Sequence, residues 1–141
     1  MERRYVKDRL RRSMMFVPGN NPGMIRIYGA DCIMFDLEDS VAYTEKDAAR
    51  FLVHNALKTL DFGKKEIVVR INDLTSGLGV RDLEAIIPAG VHVVRLPKTD
   101  SAQDVIDCEK EIARIEEKHG IPIGATGMMA AIESANGVLN A

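Results

Sequence analysis

The chain has 141 residues, 46% of them hydrophobic and 28% charged, with a formal net charge of −2. That length and balance suit one globular domain, and the near-neutral charge argues against a nucleic-acid surface as the main business of the protein. No apolar run approaches the roughly 20 residues of a membrane span, and two cysteines, Cys32 and Cys108, are too few for a disulfide framework. Both cysteines sit in apolar-periodic segments, which predicts buried free thiols in a reducing compartment. The basic start from Met1 to Arg12 has no signal-type apolar core behind it and carries Glu2 and Asp8, so a cytoplasmic chain is expected.

Ser13 to Val17 reads as a short apolar strand, closed by Pro18-Gly19-Asn20-Asn21-Pro22-Gly23. Asn21 before Pro22 has the form of an N-cap followed by proline at the first helical position. The helix it opens is very short, because Gly29-Ala30-Asp31 already turns into the next strand. That strand, Cys32 to Asp39, ends in three acids, of which Asp36 and Glu38 share a face and Asp39 does not.

Thr44 is placed to cap a helix running to about Leu60, with Ala49, Leu52, Val53, Ala56, Leu57 and Leu60 as one apolar stripe. The third strand is Glu66 to Asn72. Ile67, Val69 and Ile71 face one way; Val68, Arg70 and Asn72 face the other. A loop at Thr75 to Gly79 leads into a short helix from Val80 to Ile87. The fourth strand, Val91 to Leu96, ends in Arg95-Leu96-Pro97-Lys98. Arg95 and Lys98 have opposite parity, so at most one points inward unless Pro97 breaks the register.

Ser101 or Asp100 caps a helix through Val105, Ile106, Ile112, Ala113 and Ile115, which Gly120 stops. The fifth strand is apolar without interruption from Met128 to Ile132, as a strand covered on both faces should be. It closes on Glu133, on the face of Met129 and Ala131.

Strand and helix alternate throughout, which implies a parallel sheet and an α/β fold. Residues 1–141 contain no linker and read as a single domain. The chain reaches Ala141 before a helix after the fifth strand is complete. A closed (β/α)8 TIM barrel takes about 250 residues. The chain is therefore either an open five-stranded sheet with a defective end or, as expected here, a truncated, incomplete barrel, about its first five βα units.

In a parallel sheet the strand ends lie along one edge, the edge at which α/β folds bind ligands. That edge gathers Asp36 and Glu38, Arg70 and Asn72, Arg95 and Lys98, and Glu133. A guanidinium at Arg70 suits a planar carboxylate held through two parallel bonds. Glu133 suits a hard cation such as Mg²⁺, which takes oxygen ligands and few protein carboxylates. His54, His92 and His119 have no metal-like spacing and read as structural. No Ser-His-Asp arrangement is visible, and the glycines at Gly19 to Gly23 and Gly77 to Gly79 match neither a dinucleotide nor a P-loop fingerprint. Asp36, Glu38 and Asp39 also invite a different class, a receiver-like signalling module. Against that, the acids follow the second strand, and the lysine of the fourth comes in Pro-Lys order.

Five blocks, in order and spanning nearly the whole chain, together resemble one family. They are Arg12-Ser13-Met14-Met15-Phe16-Val17-Pro18-Gly19-Asn20, Met34-Phe35-Asp36-Leu37-Glu38-Asp39-Ser40-Val41, Val69-Arg70-Ile71-Asn72, Val94-Arg95-Leu96-Pro97-Lys98 and Ala131-Ile132-Glu133-Ser134. The resemblance is to the citrate lyase beta subunit, within the magnesium-dependent carbon–carbon lyases that include malyl-CoA lyases. It implies a (β/α)8 barrel and a citryl-ACP or citryl-CoA lyase, which splits a citryl thioester into oxaloacetate and an acetyl thioester. The thioester would hang on a CoA-like prosthetic group of an acyl-carrier (gamma) subunit, charged by a citrate transferase (alpha) subunit. A homo-oligomer is expected, with neither nucleic acid nor membrane as partner. By the family pattern Arg70 and Glu133 bind substrate, and Glu133 ligates Mg²⁺ with a second ligand, an aspartate, beyond Ala141. Asp36 and Glu38 are candidate proton acceptors by position alone. A malyl-CoA or related acyl-CoA lyase is the alternative within the same chemistry.

Overall fold

The computed structural model describes residues 11–23 and 29–141. The basic arm and most of the short helix expected after Asn21 lie outside the described residues. Within them the strands are β1 (Met14–Pro18), β2 (Cys32–Asp36), β3 (Glu66–Arg70), β4 (Val93–Leu96) and β5 (Gly127–Ala130). The helices are α1 (Lys46–Thr59), α2 (Leu78–Ile86), α3 (Ala102–Lys118) and the short α4 (Ala135–Leu139).

The strands form one sheet in the order β1-β2-β3-β4-β5, and every neighbouring pair is parallel. Strand parity decides what each face carries. Ile33, Phe35 and Leu37 of the β2 segment and Ile67, Val69 and Ile71 of the β3 segment join Val94 and Leu96 in one core. The same core receives Ala49, Val53 and Ala56 from α1, Leu83 and Ile86 from α2, and Cys108, Ile112 and Ile115 from α3. The opposite face carries a separate cluster of Cys32, Met34, Val68 and Val93, with Met14 and Met129 against it. Three consecutive helices on one face of a sheet wound in strict sequence make the winding of a (β/α)8 barrel, whose other face is the barrel interior. A receiver-like module is excluded, because that fold reverses its strand order and places helices on both faces.

Several element ends differ from expectation. Thr44 does not cap α1. It lies inside a 3-10 turn, Tyr43–Glu45, and the helix starts one residue beyond that turn with no side-chain cap. β3 stops at Arg70 because Asn72 is drawn out of the sheet. Its backbone N–H and its side-chain amide both donate to Asp82 of α2, at 2.8 and 2.7 Å. Asp82 is fully buried and also accepts from Arg50 of α1 at 2.7 Å, so it ties the end of β3 to two helices. Among the described residues β5 pairs with β4 only, and Ala130 and Ile132 are exposed. Of the two candidates for the α3 cap, Ser101 is the one used. It forms a reciprocal box with Asp104.

Cys32 and Cys108 are free and buried. Burial, with the nearby charge of Glu111, pushes the Cys108 thiol up to about 12, so it packs as a small hydrophobe.

Candidate functional site

β2 and β3 are both five residues long and pair in register from first residue to last, so Asp36 lies directly beside Arg70. Both belong to the parity of Cys32, Met34 and Val68, and therefore to the interior side of the sheet. The same register row continues from Arg70 to Arg95 and from Arg95 to Met129. One row across the rim thus reads Asp36, Arg70, Arg95, Met129.

Arg70 is held on three sides. Its Nε and NH2 donate to the two oxygens of Asp36, each at 2.8 Å. Its guanidinium carbon lies 5.1 Å from the centre of the Phe16 ring, a cation–π contact from β1. Its NH1 is 3.1 Å from Oε2 of Glu38 and 3.7 Å from Oδ2 of Asp39. The hydrogen bonds it donates to Asp36, with the charges of Asp36, Glu38 and Asp39, outweigh burial and raise the Arg70 pKa. The paired edge expected to grip a substrate carboxylate is therefore occupied by the chain's own Asp36. The remaining nitrogen, NH1, meets Glu38 and Asp39.

Asp36 is only 1% exposed. Its Oδ1 also accepts from the backbone N–H of Glu38 at 2.9 Å, and its Oδ2 from that of Ser40 at 3.1 Å. Burial is the largest single influence and pushes its pKa up. The hydrogen bonds from Arg70, the Ser40 side chain and these two backbone groups together hold it lower, at about 2. A carboxylate this satisfied is a poor proton acceptor near neutrality. Its paired hydrogen bonds make Asp36 the group that orients Arg70.

Glu38 is also buried, at 5% exposure. Its Oε1 lies 3.1 Å from Nζ of Lys98 and its Oε2 3.1 Å from NH1 of Arg70, so each oxygen of this buried carboxylate meets its own cation. The loop that carries it is fixed by Lys46, whose Nζ donates to the carbonyls of Leu37 and Glu38 at 2.7 and 2.5 Å. Burial lowers the Lys46 pKa, against the opposing charges of Asp36, Asp82, Glu38 and Asp39. Sequence reasoning passed over Lys46. The available signal was a lysine in the first turn of a helix, where the dipole disfavours a cation.

Arg95 and Lys98 both reach the site side despite their opposite parity. Arg95 does so by its place in β4, with NH1 3.4 Å from Sδ of Met129. Lys98 does so because β4 has ended at Leu96 and the lysine backbone is left-handed, with φ of 47°. Its backbone N–H donates to Oε1 of Glu133 at 2.8 Å. Glu133 is exposed at the same rim, three residues past the end of β5. The structure thus brings Asp36, Glu38, Asp39, Arg70, Arg95, Lys98 and Glu133 to one edge and turns Asn72 away into the helix layer. The histidines are structural. Nδ1 of His54 meets the carbonyl of Ala85 at 2.8 Å, that of His92 accepts from the N–H of Ile67 at 2.9 Å, and His119 ends α3.

Among the described residues no group of three or more His, Cys, Asp or Glu side chains is gathered to hold a metal. Glu133 offers one hard oxygen. Oε1 is engaged by Lys98, and no hydrogen bond reaches Oε2 among the described residues. That donor set fits Mg²⁺, which completes its shell with waters and substrate oxygens around one or two carboxylates.

Residues 12–141 match the model of the HpcH/HpaI aldolase/citrate lyase family. The chain is 56% identical over 138 residues to the citrate lyase subunit beta of Escherichia coli strain K12, covering 96% of this chain and 46% of that protein. It therefore spans about half the length of the curated relatives it matches. The protein CitE of Mycobacterium tuberculosis, solved in complex with magnesium and pyruvate, superposes with a TM-score of 0.68 at 30% identity, over 90% of this chain and 46% of that one. The malate synthase of Haloferax volcanii shares the fold with a TM-score of 0.85 at 19% identity, over 96% of this chain and 46% of that one. The same blocks of sequence that build the charged rim lie within the matched stretch, and the chain belongs to the HpcH/HpaI aldolase/citrate lyase family.

Proposed function

We propose that residues 1–141 are the front part of a single (β/α)8 barrel that cleaves a citryl thioester to oxaloacetate and an acetyl thioester. The observation that carries the reading is the pinned guanidinium of Arg70, fixed by Asp36 and Phe16, on the rim that also holds Glu133. The identity to citrate lyase beta subunits supports the substrate class, and the magnesium of the CitE structure supports the metal. As such a subunit the protein works with an acyl-carrier (gamma) subunit, whose CoA-like arm carries the thioester, and a citrate transferase (alpha) subunit.

Cleavage requires the citryl hydroxyl to lose its proton as the carbon–carbon bond breaks. The bonding electrons pass to the thioester, which leaves as an enolate and becomes the acetyl thioester when protonated. Arg70 binds a substrate carboxylate through its NH1 side and holds the departing keto acid in line, an orientation effect with an electrostatic part. Asp36 keeps the guanidinium from turning. Of the two acids, Glu38 is the candidate acceptor for that proton, since Asp36 is committed to Arg70 through both of its oxygens. Glu133, with a second ligand that the family pattern implies beyond Ala141, would hold Mg²⁺, which would supply Lewis-acid polarisation of the keto-acid carbonyl.

In an intact-length protein, Arg70→Ala and Glu133→Ala are each expected to lower turnover of citryl carrier by at least about two orders of magnitude, the scale for one electrostatic stabiliser. Near-normal turnover by either variant refutes the assignment. Faster turnover of malyl-CoA than of citryl carrier by the unaltered protein would move the substrate to the malyl-CoA branch.

A further inference from the structure

Lys98 is the one non-glycine residue with positive φ among the described residues. A lysine in the left-handed region is strained, and such strain persists where surrounding contacts hold it and gathers at functional sites. Two contacts hold Lys98. Its backbone N–H donates to Oε1 of Glu133 at 2.8 Å, and its ammonium lies 3.1 Å from Oε1 of Glu38. Neither is available from an extended backbone continuing β4, which would send the side chain of residue 98 towards the helix layer. Pro97 ends the strand ladder just before, since it has no N–H to donate.

We propose that Lys98 is a positioning residue that sets both acids of the site at once. Its main-chain N–H occupies one oxygen of Glu133 and leaves the other for a cation. Its ammonium holds Glu38 within reach of Arg70. The side chain is 59% exposed, so the ammonium contributes little to the stability of the fold. Its value lies in where it puts Glu38. The inference rests on the reading of Glu133 and Arg70 given above.

The test uses the intact-length protein and has two parts. In the first, Lys98→Met lowers kcat/KM for citryl carrier by about tenfold, the coupling expected of residues in one charge network. Lys98→Arg, which keeps a cation on the same backbone, restores most of the loss. In a Glu38→Gln background Lys98→Met costs less than about twofold more, because its target is already gone. A Lys98→Met loss of equal size in both backgrounds, or no loss in the unaltered background, overturns the proposal.

In the second part, the amide resonance of Lys98 in lysine-labelled protein shifts when Mg²⁺ alone is added. The shift is absent in Glu133→Gln. This measurement needs no turnover. An amide that does not respond in a protein that turns over citryl carrier overturns the Lys98 bridge and leaves the lyase reading intact. A responding amide in a protein that turns over no thioester overturns the lyase reading and upholds the bridge.

Discussion

Replacing Asp36 by asparagine keeps the shape of the side chain and removes the charge that faces Arg70. The stabilisation at stake can be worked from the carboxyl itself. Its pKa falls from 3.8 to about 2 on folding, and each pH unit corresponds to about 1.4 kcal/mol, so the ionised form is favoured in the folded chain by about 2 kcal/mol. The sign follows from the direction. A carboxyl whose folded pKa is depressed stabilises the fold fully above its unfolded pKa, and the stabilisation is lost as pH falls through the folded value. Asp36→Asn is therefore expected to cost about 2 kcal/mol near pH 7, below the roughly 3 to 5 kcal/mol for breaking one partner of a buried pair. Glu38 and Asp39 still face the guanidinium, at 3.1 and 3.7 Å, which accounts for the smaller loss. The assay is urea unfolding of the intact-length protein over about pH 2 to 7, comparing the difference between variant and unaltered protein at each pH. Taking the difference cancels the acid sensitivity of Asp31, which is also held at about 2 by its hydrogen bond to Arg12. The gap should be constant above about pH 4 and close as pH approaches about 2. A gap that persists unchanged at the acid end, or no gap at neutral pH, refutes the claim that Asp36 is held ionised by Arg70.

Two further outcomes follow from packing and from burial. A Cβ at Gly79 would lie 2.4 Å from the carbonyl oxygen of Asn72, so Gly79→Ala should destabilise by about 1 to 3 kcal/mol, the usual cost of forced overpacking, read as a lower urea midpoint with unchanged slope. Cys108, its thiol pushed up to about 12 by burial, should resist a thiol-specific reagent at about pH 8 in the folded protein and react at once after unfolding. Rapid labelling without unfolding would contradict its placement on the buried face of α3.

The alternation of Ile67, Val69 and Ile71 against Val68 and Arg70 was legible because parity is a property of one strand. The winding was legible because β2, β3 and β4 are each followed by a helix with a single apolar stripe. The partner of Arg70 was not. Asp36 and Arg70 become neighbours through the register between two strands, and neither strand alone carries that register. Asn72 was misplaced at the rim because the group that pulls it away, Asp82, lies ten residues later on a helix whose other positions gave no hint of a buried acid. Lys98 defeated the parity rule by leaving the strand. Pro97 was the visible warning, but a left-handed lysine has no marker of its own in the sequence.

The placement of charges bears on how a substrate carboxylate would reach Arg70. The guanidinium starts with all its neighbours in place, so binding does not have to order it. Asp39 is the contact easiest to displace, since its side chain is 70% exposed and its oxygen stands at 3.7 Å from NH1. Glu38 cannot leave for water as readily, because only 7% of its side chain is exposed. If substrate takes the NH1 side of Arg70, the charge of Glu38 loses part of its compensation. Lys98, on the other oxygen, keeps that charge balanced. A ligand that carries a hydroxyl beside its carboxylate would meet Glu38 and Arg70 together.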